Sequence, residues 1–452
     1  MSVPRTYRLA PPDRTGWFLG LDAVQVVVST AGLLGGSLFA ARGAYGFAIS
    51  LVLAGLGLAF TRVGGQPLHE VGAPWLHFVW RRGVGAQRWF APLTGVGLEA
   101  PVLPKGIGVV DVTTMPAGPL ARFAGDPEVA VVADRKAGRE AVALRIAGVG
   151  FALADPVDQD RLCSGWGDAL AACASGAAAA SAVQVTVRNT PDALMPGATR
   201  RDVLVSVVGG RGRGRRPDGV VADAARFGDR LTAAGLTVDA VIDAAGWATL
   251  TREGFDPAGQ AGRARTLGER AGVAHPAQAG PLAVEERWGA VRVDSTWHRT
   301  FLVADWPRLE LPASWLAGLL LFDGPTWALS VWLEPVQSRR ARQAVERQAA
   351  KLTSDEEQRS RAGFRVGAAH QRHHDDLEAR EAELVAGHAE YEYVGIVAVS
   401  APTVEDLDEE AASLVATAAA CGIELRPLHG RHLAGLATTL PVPGALRRKE
   451  NR

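Results

Sequence analysis

His370, His373, His374, Asp375 and Asp376, with His388 downstream, form the densest group of potential metal ligands in the chain. On a helix His370 and His374 share one face, and with a carboxylate they offer the nitrogen and oxygen donors that a zinc-type ion takes. No cysteine or glutamate completes a known spacing, and Asp375 and Asp376 also suit the positive end of a following helix, so a solvated helix start is the competing reading. Asp158-Gln159-Asp160 has the D-x-D form that some glycosyltransferases use for a metal and a sugar nucleotide. It falls in a helix first turn, where acids are expected in any case. Val207-Val208-Gly209-Gly210-Arg211-Gly212-Arg213-Gly214-Arg215-Arg216-Pro217 follows a strand pattern and precedes a helix pattern, as a phosphate loop does. Its glycines miss the dinucleotide spacing, since position 215 or 217 would have to be glycine. What remains is a basic contact loop of Arg211, Arg213, Arg215 and Arg216, which attracts the phosphates of DNA or anionic lipid without specificity.

The other signatures are missing. No G-x-x-x-x-G-K-[ST] occurs, because no glycine is followed by lysine and then a hydroxyl residue; an ordinary P-loop ATPase is excluded. Leu319-Leu320-Leu321-Phe322-Asp323 looks like the strand that carries a magnesium-binding aspartate in such enzymes, but without the loop it reads as an apolar segment ending at a turn. No Ser-His-Asp order or reactive cysteine context stands out. The sequence therefore assigns no catalytic, cofactor or metal residue, and the expectation is a protein that is not an enzyme and carries no cofactor.

Composition bounds the partners. Among 452 residues Lys plus Arg and Asp plus Glu number 48 each, so no global charge points to nucleic acid. Only Lys105, Lys136, Lys351 and Lys449 are lysine, the bias of a GC-rich genome. Cys163, Cys173 and Cys421 have no disulfide-like spacing, as reduced thiols in a cytoplasmic domain would.

The elements that would position these groups begin with two uncharged runs, Ala23 to Ala40 and Ala44 to Phe60, within predicted helices at about 18–40 and 44–60 and separated by Ala41-Arg42-Gly43. Each approaches the roughly 20 residues a helix needs to cross a bilayer. They predict a transmembrane helical hairpin in residues 1–62. Arg5, Arg8, Arg14, Arg62, Arg81, Arg82 and Arg88 flank it against a lone Arg42 in the turn, which places both termini in the cytoplasm of a multi-pass inner-membrane protein. A cleaved secretory signal or a buried soluble hairpin are the rivals. Gly32 and Gly36 on one run and Gly46, Ser50 and Ala54 on the other would let the helices pack closely. Asp22 beside Trp17 reads as interfacial. Residues 63–95 interleave Trp75, Phe78, Trp80, Trp89 and Phe90 with Arg81, Arg82 and Arg88, a composition for the membrane surface, with Trp17, Trp75, Trp80, Arg81, Arg82 and Trp89 as anchors. Pro74 breaks the periodicity, so no single clean amphipathic helix is expected there.

Beyond residue 96 strands and helices alternate, predicting two cytoplasmic α+β domains, ferredoxin-like or similar, at 96–280 and 281–445, then a basic tail at 446–452. Val142, Leu144 and Ile146 alternate as in a strand. Asp155-Pro156 opens a helix whose Leu162, Trp166, Leu170 and Cys173 share the core face. Further strands are read at 182–188, 202–208, 236–242, 299–304, 327–333, 391–400 and 423–428. Helices are read at 220–234, 337–361, 375–386 and from Thr403, whose Asp406 completes a capping-box-like start, to Gly422. Residues 263–278 are rich in Ala, Gly and Pro and read as an inter-domain passage.

Short pieces spread along the chain are similar to an actinobacterial family of conjugation or type IV secretion proteins. They are Arg62-Val63-Gly64-Gly65-Gln66-Pro67-Leu68, Trp166-Gly167-Asp168-Ala169-Leu170, Phe255-Asp256-Pro257, Gly280 to Trp288, Arg292-Val293-Asp294-Ser295, Trp297-His298-Arg299-Thr300-Phe301, Trp306-Pro307-Arg308, Arg380 to His388 and Leu440-Pro441. The resemblance implies a two-helix membrane hairpin joined to a domain similar to the amino-terminal, non-motor part of the conjugation ATPase, with the motor supplied by a partner. It implies a scaffold in the inner membrane, oligomeric, contacting the membrane, a translocation ATPase and other channel subunits. A membrane subunit of type VII secretion is the runner-up, and a membrane-attached glycosyltransferase-like enzyme is the reading of another class.

Overall fold

The computed structural model describes residues 23–444 except 64–65, 93–100, 105–106, 148–149, 175–179, 193–197, 211–217, 260–274, 308–310, 323, 325, 362–367 and 386–388. Helices α1 (Ala23–Ala40) and α2 (Tyr45–Phe60) stand where the apolar runs predict them. The turn between them uses Gly43 at a φ of 80°, a left-handed setting that glycine takes without strain. A Cβ on Gly32 would lie 3.1 Å from the Gly55 Cα, and one on Gly36 3.1 Å from the Ala48 carbonyl, so the two backbones touch along that seam.

The transmembrane expectation is overturned. The helices have 18 and 16 residues, which at 1.5 Å per residue gives about 27 and 24 Å, short of the roughly 30 Å hydrocarbon core. Among the described residues no helix is long and apolar enough to cross a membrane. The multi-pass inner-membrane location with cytoplasmic ends, built on that span, is corrected with it.

A two-residue clasp pairs β1 (Arg62–Val63) with β2 (Gln66–Pro67). It leads into α3 (Leu68–Gly83), which continues through Pro74 as one helix. The short strand β3 (Arg88–Phe90) then enters the main sheet.

Two successive segments repeat one order of elements. The first has the hairpin β4 (Val110–Pro116) and β5 (Glu128–Asp134). It continues with β6 (Arg139–Ile146), α4 (Pro156–Ala174), β7 (Ala180–Pro191), β8 (Thr199–Gly210), α5 (Gly219–Ala233) and β9 (Val238–Val241), then α6 (Ala244–Phe255). The second has the hairpin β10 (Ala283–Glu286) and β11 (Val291–Val293). It continues with β12 (Thr296–Asp305), α7 (Ala317–Leu320), β13 (Trp327–Pro335), β14 (Tyr391–Ala401), α10 (Val404–Ala420) and β15 (Glu424–Pro427), then α11 (His432–Ala437). Between β13 and β14 the second segment carries an inserted helical arm, α8 (Ser338–Arg361) and α9 (Ala368–Val385). Within each segment the spatial order is fourth-first-third-second, β9-β6-β8-β7 and β15-β12-β14-β13, the split β-α-β arrangement.

Instead of two separate domains, the segments share one continuous antiparallel sheet of 13 strands. They join where β7 pairs with β13, Thr186 standing opposite Ser330 at the middle of the paired register. One face of the sheet is covered by α4 and α5 over the first segment and by α7 and α10 over the second. The other face is covered across the join by α6 and α11, with Trp247, Leu250, Phe255, Leu433 and Leu436 packed against the strands. Fully buried Trp247 donates its indole N–H to the Pro441 carbonyl at 2.8 Å, satisfying the polar handle that makes a buried Trp costly.

Candidate functional site

Of the 24 large apolar side chains exposed among the described residues, 18 lie between Val24 and Phe90. Leu34, Phe47, Ile49, Leu53 and Trp80 are each 61–66% exposed. Neither α1 nor α2 has an acid in its first turn or a base in its last, and their seam is lined by small residues such as Gly32, Gly36, Ala48 and Gly55 with Leu51 and Val52 beside them. A helix that is apolar on every side belongs in a core, and monomers seldom show a contiguous apolar patch above a few hundred Å². This hairpin and the outer side of α3 form an exposed apolar platform.

The platform is mounted on the sheet through α3. Arg81 Nη1 donates to Glu286 Oε2 at 2.7 Å, and the other oxygen of this 2%-exposed carboxylate accepts the Leu433 N–H. Phe78 meets Trp288 edge-on at 5.4 Å, Trp288 stacks on His429, and Gly430 (φ 66°) brings the chain against both Phe78 and Trp288. Arg426 reaches Glu70 at 3.3 Å. Arg81→Ala strands the buried Glu286 carboxylate, a loss of about 3–5 kcal/mol for a buried pair. Limited proteolysis is expected to cut the α3 linkage of the variant at least tenfold faster than that of the wild type while the sheet resists.

Beneath the mount lies a buried polar network built by pieces distant in sequence. Arg252 of α6 donates to the Gly280 carbonyl at 2.8 Å and lies 2.5 Å from Asp294 Oδ2 and 3.4 Å from Asp256 Oδ2. Asp256 also accepts from the Ser295 and Thr296 hydroxyls at 2.5 and 2.8 Å. Asp294, held at a φ of 52°, accepts the Leu282 and Ala283 N–H groups. His298 Nε2–H donates to the Phe255 carbonyl at 2.9 Å, so Nδ1 accepts the Ser400 hydroxyl at 2.7 Å. A hydroxyl donating to imidazole is the first half of a nucleophile and base pair. Here Ser400 lines a cavity of about 20 Å³ with Arg188, Glu253, Thr326 and Thr439, room for one water and not for an acyl substrate. The network locks α6 and the β11–β12 turn together.

Burial sets the protonation of His298 and of His432 in α11, whose Nδ1 accepts the Thr300 N–H at 3.1 Å. It pushes His298 down to about 4 and His432 to about 3, against about 6.5 in an unfolded chain. Folded values below unfolded ones mean that the stability is present in full above about pH 6.5 and is lost as pH falls through 4 and 3. The Glu286 carboxyl, pushed up by burial with Arg81 opposing, offsets part of this where carboxylates titrate. At about 1.4 kcal/mol per unit, His298 alone accounts for about 2 kcal/mol between pH 6.5 and 5. The urea midpoint is expected to fall over that interval and the slope to flatten in His298→Asn; equal midpoints at pH 7 and pH 5 contradict the assignment.

The sequence-derived candidates are dispersed. Gly32 and Gly36 do pack the hairpin seam, whereas Gly46 faces open space, Ser50 donates to the Gly46 carbonyl at the surface and Ala54 is exposed. On α2 the seam uses Ala48 and Gly55 instead. Trp75, Trp80 and Arg82 are exposed on α3, Arg81 is tied to Glu286, and Trp89 packs against the core. Trp17, Asp22, Arg211, Arg213, Arg215, Arg216 and His388 lie outside the described residues. His374 faces solvent beside Glu378, while the side chains of His370, His373 and Asp376 lie outside the described ones; among those described no group could hold a metal ion. Asp158 pairs with Arg161 at 3.3 Å on the surface of α4. The apolar segment at Leu319 is the end of helix α7 and not a strand. Sequence reasoning missed α6 and with it Arg252, although Asp243 caps that helix by accepting the Gly246 N–H.

No protein-family model matches the chain, and no curated protein matches it.

Proposed function

We propose that this chain is a non-enzymatic docking component of a DNA-transfer or protein-export machine of the type IV secretion kind, working with a separate ATPase. The observation that carries the reading is the platform of α1, α2 and α3, apolar on its free sides and bolted to a large sheet by a buried ion pair. Such a surface needs a permanent cover, and helices of a partner subunit supply one by the same small-residue packing that Gly32 and Gly55 use within the hairpin. The pieces that resemble conjugation proteins support the assignment, because Phe255 to Pro257, Gly280 to Trp288, Arg292 to Ser295, Trp297 to Phe301 and Leu440-Pro441 converge on the network that carries the mount. The sequence has no phosphate loop, so the energy comes from the partner.

Purified protein is expected to show no ATP turnover above a no-protein control and to co-purify with an ATPase from its native host. Robust turnover by the chain alone overturns the reading. Partition of the purified protein into vesicles without any protein partner also overturns it, since lipid would then be the cover.

A further inference from the structure

We infer that the outward face of helix α8 is a contact surface for the phosphate backbone of a nucleic acid duplex. The arm that carries it is the one large insertion that distinguishes the second repeat from the first, placed in the turn between the paired strands β13 and β14. Helix α8 begins Ser338-Arg339-Arg340-Ala341-Arg342 and has no acid in its first turn. Cations there oppose the helix dipole, at about 0.3–1 kcal/mol each, so the helix carries them against its own preference. Ala341 and Val345 are buried against the arm's base, and at 3.6 residues per turn Arg339, Arg340 and Arg347 project away from them while Arg342 stands on the flank. All four are exposed and none is in an ion pair among the described residues; Arg347 donates only to the Gln343 carbonyl one turn back.

Exposed acids stand near this face: Glu378, Glu381 and Glu383 lie on the packed helix α9. Glu346 is the acid on the same face. At the arm's base Glu334 is held by Arg139 at 2.7 Å and Glu390 by Arg380. On α8 itself four arginines stand against one carboxylate, over about 12 Å of helix. Duplex phosphates recur every roughly 3.4 Å of axial rise per strand, so a patch of about 12 Å meets several phosphates at once. Arginine suits the task because its planar fork takes two phosphate oxygens at once. A duplex fits better than a short acidic peptide, because the arginines spread over a broad exposed sector of one helix that lacks any apolar anchor among its exposed residues. The inference rests on the proposed role in transfer only for the source of the duplex.

The test is fluorescence anisotropy of a labelled 20-base-pair duplex of mixed sequence, titrated with the purified full chain from 50 to 300 mM salt. Binding is expected to weaken with a log-log slope of roughly −3 to −4, near −0.9 per phosphate contact. The variant Arg339→Gln/Arg340→Gln/Arg342→Gln/Arg347→Gln is expected to lose that slope and at least about tenfold in affinity at low salt with an unchanged melting curve, while the four Arg→Lys replacements retain the slope. Absence of duplex binding, equal binding by the Gln variant, or binding to phosphatidylserine vesicles in place of the duplex each overturns the proposal. Failure here leaves ATPase association untouched, so the two readings fall separately.

Discussion

Arg252→Ala is expected to unfold the protein under conditions where the wild type is stable. Its guanidinium lies between Asp256 and Asp294, and all three side chains are at most 9% exposed. Removing the cation leaves two carboxylates facing each other without water. Breaking a buried pair in this way costs about 3–5 kcal/mol, a large share of the 5–15 kcal/mol that holds a typical domain. Asp256 keeps its hydroxyl donors Ser295 and Thr296, and Asp294 keeps two backbone N–H groups; neither set supplies positive charge. Arg252→Lys restores the charge but cannot reach both the Gly280 carbonyl and the carboxylates, so an intermediate loss is expected. Urea unfolding followed by tryptophan fluorescence orders the three proteins. Equal midpoints for wild type and Arg252→Ala would remove the network from the account of how α6 is held.

The second large effect concerns the platform. Leu34→Glu, Phe47→Glu and Leu53→Glu place charges at positions 62–66% exposed, so the fold tolerates them. Where a partner's helices cover the platform, each charge is buried without a counter-ion, at a cost of several kcal/mol. The triple variant is expected to lose at least about a thousandfold in affinity for its partner, since 1.4 kcal/mol is a factor of ten. It should also run as a single monodisperse species where the wild type alone self-associates. Size-exclusion chromatography with light scattering reads the second point, and pull-down the first. A triple variant that holds its partner as tightly as wild type places the docking surface elsewhere.

Local patterns made most elements after Val109 legible. Alternation in Val142, Leu144 and Ile146 marks β6, and the Thr403 hydroxyl accepts the Asp406 N–H at the start of α10. Non-local pairing was not legible. The join of β7 with β13 connects residues more than 130 positions apart, and nothing in either strand's alternation says that the two segments share a sheet. Helix α3 was obscured by Pro74, which removes one donor; tertiary anchors at Phe78 and Arg81 hold the helix across it. Helix α6 was obscured by Gly246, Thr249, Thr251 and Gly254, poor helix formers, though the Asp243 cap and buried Trp247, Leu250 and Phe255 carry a readable period. The hairpin was legible as two helices, but hydropathy alone overstated their reach; length decides, and 16 residues are too few. The buried network was invisible because Arg252, Asp256 and Asp294 meet only after α6 folds onto β11 and β12.

In the proposed role an apolar platform docks this chain beside a separate motor. Its most direct test is affinity purification of the tagged full chain from its native host, wild type against the Leu34→Glu/Phe47→Glu/Leu53→Glu variant, with mass-spectrometric identification of bound proteins and an ATPase assay on each eluate. A translocation ATPase and its turnover are expected in the wild-type eluate, both absent from the variant, with no turnover by the chain purified alone. An ATPase equally abundant on both proteins, or on neither, contradicts that role.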